Sequence, residues 1–185
     1  NNSSGDLLKA TSVGTFNDNL EVTQVMSFDR DDKYFKNEVT LKNVGSDTLD
    51  EARYMRSFDP DNTRDQGGSN VTQNQILHTH GAGDGKAVVV ADTSNNSSDP
   101  VFAENGSRSP ILFYTSDDRA RVSAFGFSNS DPYASLAYDS ALPKGSSEAG
   151  DAGITVTADL GTLDPNDSET FVYYTSLDNR DFSDV

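Results

Sequence analysis

The run Phe58-Asp59-Pro60-Asp61-Asn62-Thr63-Arg64-Asp65-Gln66-Gly67-Gly68 sets three carboxylates at spacings of two and four residues and closes on a glycine pair. A turning loop of that kind can wrap several carboxylate oxygens around one ion, which is what a hard cation such as Ca²⁺ requires. It is not an EF-hand, since the loop lacks the Gly at its sixth position, the Glu at its twelfth and the flanking helices. The competing reading is a solvated turn whose Asp side chains cap backbone amides. The repeated carboxylates favour calcium, with Asp59, Asp61 and Asp65 as its expected ligands.

Other acids fall just past predicted strand ends: Asp29-Arg30-Asp31-Asp32, Asp117-Asp118, and Asp92 with Asp99. Gathered at one pole of a fold they would repel one another unless a cation neutralised them. Asp31, Asp117 and Asp118 are therefore candidate ligands of further ions, against the plain alternative of solubilising surface acids. Arg53 and Arg56 stand on the segment leading into the acidic loop. One suits an internal ion pair, and the other could clamp a carboxylate beside a bound ion.

Other chemistries find little support. His78-Thr79-His80 could begin a transition-metal site, but these are the only two His and a Gly-rich turn follows. Gly81-Ala82-Gly83-Asp84-Gly85-Lys86 precedes a strand instead of opening a helix, so it is no phosphate loop. There is no Gly-x-Ser-x-Gly elbow and no Cys, which excludes that serine-hydrolase signature, thiol catalysis and disulfides. A glycosidase carboxylate pair stays open because 30 acids offer too many pairs to choose from.

The charge balance, 14 − 30 = −16, turns away phosphate backbones and anionic lipid, so neither nucleic acid nor membrane insertion is expected. Of the 30 acids 24 are Asp and 6 Glu, a split that favours loops and hard-cation sites over exposed helices.

The elements that must position these residues are strands. Alternating polarity marks 20–28 and 35–42, with a return strand over 51–58 and further candidates at 74–80, the apolar 86–91, 111–116, 121–127, 154–160 and 169–177, separated by Gly, Asn, Asp and Ser. That pattern predicts an all-β antiparallel β-sandwich forming a single domain over 1–185, with 1–5 as linker. Ser130-Asp131-Pro132 predicts one short helix after it. Two loops of about 15 residues, over 59–73 and 92–109, have the length of functional loops. The segment 144–153 reads as an exposed connection.

Tyr54-Met55-Arg56-Ser57-Phe58-Asp59-Pro60-Asp61, with Val39-Thr40-Leu41-Lys42-Asn43-Val44-Gly45 upstream and Gly161-Thr162-Leu163-Asp164-Pro165 and Phe171-Val172-Tyr173-Tyr174 downstream, resembles the peptide-binding domain of large calcium-dependent RTX adhesins of Gram-negative bacteria. The resemblance runs over nearly the whole chain. It implies a calcium-stabilised β-sandwich, monomeric within a larger type I secreted adhesin at the bacterial surface. Such a domain is not an enzyme and captures C-terminal peptides of proteins on other cells. It implies Asp59, Asp61 and Asp65 as metal ligands and Arg56 as a pocket residue. By loop proximity Tyr54, Asn62, Gly67, Asp84 and Tyr133 join the candidate ligand-binding set.

Three rivals remain on the residues alone. One is a calcium-dependent carbohydrate-binding module, disfavoured by the absence of Trp although Tyr54, Tyr114, Tyr133 and Tyr138 could stack on sugars. Another is a β-sandwich hydrolase or lyase working with carboxylates. The last is a passive extender whose calcium only stiffens a fibre.

Overall fold

A computed structural model describes residues 7–62, 64, 67–80, 82–93 and 110–177. Among these, eleven strands run as β1 (Leu8–Phe16), β2 (Leu20–Phe28), β3 (Tyr34–Asn43), β4 (Arg53–Phe58), β5 (Thr72–His78), β6 (Ala87–Thr93), β7 (Ile111–Thr115), β8 (Ala120–Ala124), β9 (Ser147–Gly150), β10 (Ile154–Asp159) and β11 (Ser168–Ser176). They build an eight-stranded sheet, β1-β2-β3-β11-β7-β6-β5-β9, and a three-stranded one, β4-β10-β8. Every pairing is antiparallel, so the predicted all-β sandwich is the observed fold.

The core lies between the sheets. Tyr173, Phe113 and Phe171 are its largest fully buried side chains. Phe171 and Tyr173 stack at 5.6 Å, Phe113 meets Tyr173 edge-on at 5.8 Å, and Tyr54 reaches them from the small sheet at 6.3 Å. β6 is buried on both faces: Val89 and Ala91 enter this core, while Val88 and Val90 join Leu112 and Tyr114 on the opposite face. That explains its unbroken apolar run. Asn43, fully buried, ties two loops together by donating to Asp47 O at 2.8 Å and Leu163 O at 2.9 Å.

Two strands lie outside the sequence prediction. β1 is exposed at all nine residues, so it has no buried face to impose alternation, and β9 is a short polar edge strand paired with β5. β1 is held by its hairpin with β2, whose turn places Asn17 and Asp18 at φ of 49° and 57°. Both residue types tolerate that left-handed backbone, and its twist suits a hairpin. The expected short helix is instead a single 3-10 turn, Ser135–Ala137. Asp131 closes a turn ahead of it, its Oδ1 accepting from Tyr133 N–H at 2.9 Å, and the N-cap of the 3-10 turn, Ala134, has no side-chain capping bond. The Ser, Tyr and Asp that follow are weak helix formers, and no regular ladder propagates.

The sheets differ in width, and the difference shapes the surface. The small sheet packs over β5, β6 and β7, with Tyr54 touching β11. β1, β2 and the adjoining part of β3 extend past it. Replacing Phe171 with Ala should cost about 3–5 kcal/mol in urea unfolding, whereas Thr15→Ala on exposed β1 should stay within about 0.5 kcal/mol.

Candidate metal centre and adjoining cleft

Asp59 and Asp61 follow directly from β4, and Asp151 stands three residues before β10. The two strands pair with Ile154 opposite Phe58, which brings the acidic loop and Asp151 to the same end of the small sheet. Gly153 permits the approach: a Cβ there would meet Phe58 O, Gly126 O and Ser57 Oγ, each at 3.3 Å. One carboxylate oxygen from each of Asp59, Asp61 and Asp151 lies within 4.8 Å of the others. Asp61 holds a left-handed backbone at φ 37° and accepts the Arg64 N–H at 2.9 Å, which curls the loop back on itself. Asn62 fastens the loop to the large sheet by donating to Ala91 O at 3.2 Å.

The electrostatics call for a cation. Burial raises the Asp59 carboxyl above its ordinary range, and the charges of Asp61 and Asp151 raise it further. Asp61 Oδ1 is buried and accepts no hydrogen bond. An acceptor left so costs free energy unless a proton or metal ion satisfies it. These three acids could hold a metal ion.

The sequence named two members of this group and missed Asp151. Its signal, an acid between glycines just before a strand, lay in the segment 144–153 read as a plain connection. Asp65 lies outside the described residues, as does Asp99. Asp31 is an exposed turn residue beside Asp32, whose Oδ2 accepts the Asp29 N–H at 2.8 Å. Asp117 forms a two-pronged pair with Arg119, at 3.0 Å to Nε and 2.8 Å to Nη2, which lowers its pKa. Asp118 is exposed. The structure does not bring these three to the Asp59 group.

The ligand-binding candidates also separate. Asp84 accepts from Lys144 at 2.7 Å and faces His78 Nδ1 at 3.1 Å, partners that lower its pKa. His80 instead lines a small cavity with Arg121 and Tyr138, so the two imidazoles have different neighbours. Burial, then Arg121, lowers the His80 pKa. Tyr133 donates to Glu51 O and lies beside Arg53. Gly67 sits at φ 87°, its N–H donating to Arg64 O at 3.2 Å. Tyr54 belongs to the aromatic core.

The two arginines have different surroundings. Arg53 is the internal one, paired with Glu51, Asp139 at 3.2 Å and Asp159 at 3.3 Å, with the Tyr138 ring 4.6 Å away. Arg56 is exposed and has no ion pair among the described residues. It lines a cleft of about 390 Å³ with Phe58, where the overhanging part of the large sheet forms the floor. Register aligns Ala10, Met26, Asn37 and Tyr173 across four strands of that floor. Its polar groups hold one another loosely: Gln24 donates to Asn37 at 3.4 Å and to Tyr173 at 3.5 Å, and Asn37 donates to Thr175 at 3.3 Å. No local pattern of residues announces this floor, because strands distant in the chain meet there.

No family model and no curated protein matches the chain. Among solved structures it is similar to a putative kojibiose phosphorylase from the human microbiome, at 10% identity and TM-score 0.43, over 96% of this chain and 19% of that one. It is also similar to a putative aldose 1-epimerase from Escherichia coli K12, at 13% identity and TM-score 0.41, over 92% of this chain and 65% of that one. The chain thus spans about a fifth of the first and just under two thirds of the second. Both are named as enzymes, which corrects the expectation that the chain is not one; that expectation goes no further. Neither likeness assigns a substrate or reaction to this chain.

Asp61→Asn should move stability in opposite directions with and without metal. In chelator at neutral pH it removes repulsion and should raise the Tm by a few degrees. In saturating Ca²⁺ it should lower the Tm. A carboxyl raised by its neighbours stabilises the metal-free fold only while protonated, so wild-type stability in chelator should fall as pH rises through the Asp59 pKa. Asp117→Asn should destabilise equally in both conditions. Thermal unfolding of the variants across pH, with and without metal, checks all of this.

Proposed function

We propose that the chain is a Ca²⁺-dependent β-sandwich module that receives the C-terminal end of a peptide in the cleft beside Arg56, as the resemblance to RTX adhesin domains implies. One observation carries the reading. A single short strand, β4, presents to a cleft an arginine with no ion pair among the described residues, and it ends in carboxylates that converge as a cation would need. On a chain of charge −16, such an arginine is a local reversal of sign suited to an anion.

Calcium is favoured over other ions by the donors. All three side chains offer oxygen, with no imidazole or thiolate, which suits hard cations. A loop rich in backbone carbonyls suits the six to eight flexible ligands of Ca²⁺ better than the strict octahedron of Mg²⁺. When bound, the ion neutralises the acids and links the end of β4 to the start of β10. The floor then supplies apolar contact through Met26, Phe35, Ile111 and Phe113, while Arg56 accepts the carboxylate. Capture of protein C-termini on neighbouring cells would place the module outside its own cell.

A carbohydrate ligand is the second reading, and the polar row of the floor favours it. Gln24, Asn37, Tyr173 and Thr175 hold one another at 3.3–3.5 Å, near the outer limit for hydrogen bonds, so sugar hydroxyls could take their place. Phe35 and Phe58 offer ring surface beside them.

A hexapeptide library with free C-termini, the same library amidated, and a glycan array separate the readings. Free-carboxylate peptides should bind in Ca²⁺ and be lost in excess chelator. Arg56→Ala should weaken them about ten- to a hundredfold, the loss of one charge-assisted hydrogen bond, and amidation should do the same. Ca²⁺ at a hundredfold its Kd should add about 2.7 kcal/mol of stability. Peptide binding that persists unchanged in chelator would overturn the calcium role, and glycan binding with no peptide binding would select the second reading.

A further inference from the structure

We propose that the bound peptide adds to the eight-stranded sheet as a further strand, pairing through its backbone with the free edge of β1; this rests on the peptide reading above. Ala10, Thr11 and Ser12 all line the cleft that Arg56 faces. Side chains alternate across a strand, so one face supplies only Ala10 and Ser12. Thr11 between them lines the cleft as well, so the cleft runs along this stretch of the outermost strand.

That edge is open. All nine residues of β1 pair with β2, and no described residue pairs on the other side. Alternate residues of an antiparallel strand turn their N–H and C=O groups away from the partner, so β1 offers a ladder of donors and acceptors to a newcomer. The usual guards of an edge are sparse. β1 has no proline, its register with β2 carries no bulge, and Lys9 is its single charged residue. Ala10 and Ser12 are small, and nothing lies within 4 Å of where a Cβ on Gly14 would stand, which leaves room for another backbone.

Charge selects the occupant. Two copies of a chain at −16 repel, whereas a peptide's terminal carboxylate complements Arg56 in the same cleft. The peptide backbone would supply affinity with little regard to sequence, and the cleft would read its last side chains.

Hydrogen exchange on the tightest hexapeptide from the free-carboxylate library tests this. Amides within Leu8–Phe16 should exchange about tenfold more slowly in the complex. The same peptide N-methylated at alternate amides, in both phases, should bind at least tenfold more weakly in one phase. Thr11→Pro and Ser12→Pro, each verified by an unchanged Tm, should weaken binding at whichever position turns its amide outward. Unchanged β1 exchange, with full affinity for both methylated peptides but sensitivity to Arg56→Ala, would overturn strand addition and leave the carboxylate reading standing. A library with no Arg56-dependent binder would overturn both. Protection of β1 that grows with protein concentration in the absence of peptide would assign the edge to a second copy and overturn the proposal.

Discussion

Mutual repulsion among Asp59, Asp61 and Asp151 is the constraint on which the rest of this structure turns. These acids converge because two strands pair in a fixed register, with Phe58 opposite Ile154, and because Gly153 lets one backbone pass close to the other. Packing of the small sheet thus forces together charges that would otherwise separate. A loop so loaded is poised: without a cation it pushes against the sheet that made it, and with one it becomes a cross-strand tie. Burial first, and then the charges of Asp61 and Asp151, raise the Asp59 carboxyl, and the buried Asp61 Oδ1 beside it accepts no hydrogen bond.

Unequal sheets supply the second half of the design. Three strands cannot cover eight, and the overhang of β1, β2 and β3 turns what would be core into an accessible floor. Its residues keep the chemistry of both worlds, with Met26 and Phe35 beside Gln24 and Asn37. Arg56 stands at the margin of the small sheet, where the cover stops. Arg53, three residues earlier on the same strand, lies under Tyr138 among three acids. Position along one short strand decides which arginine is held by acids and which faces the cleft.

Much of this was legible in the residues and part of it was not, for definable reasons. Strands with one buried face, such as β3 and β11, announce themselves by alternation. β1 could not, since a strand with no buried face carries no such pattern. The loop after Phe58 was visible through the density of its acids, whereas Asp151 is a lone acid whose role comes from a pairing more than ninety residues away in sequence. The helix expected after Pro132 shows the converse: the Asp131 carboxylate closes a local turn instead of capping a helix, and the weak helix formers that follow sustain only one 3-10 turn.

The strand order also fixes how the molecule would respond to a pull. β1 is the outermost strand of the large sheet and β11 its fourth, and both the first and the last described segments belong to that sheet. Tension entering ahead of Leu8 would open the β1–β2 pairing from its Leu8–Phe28 end, one pair after another, as a zipper opens. It would run from there through β2, β3 and β11 without crossing β4 or β10. The carboxylate group would stay unloaded until the hairpin had given way, so the first two strands form a mechanical fuse ahead of it.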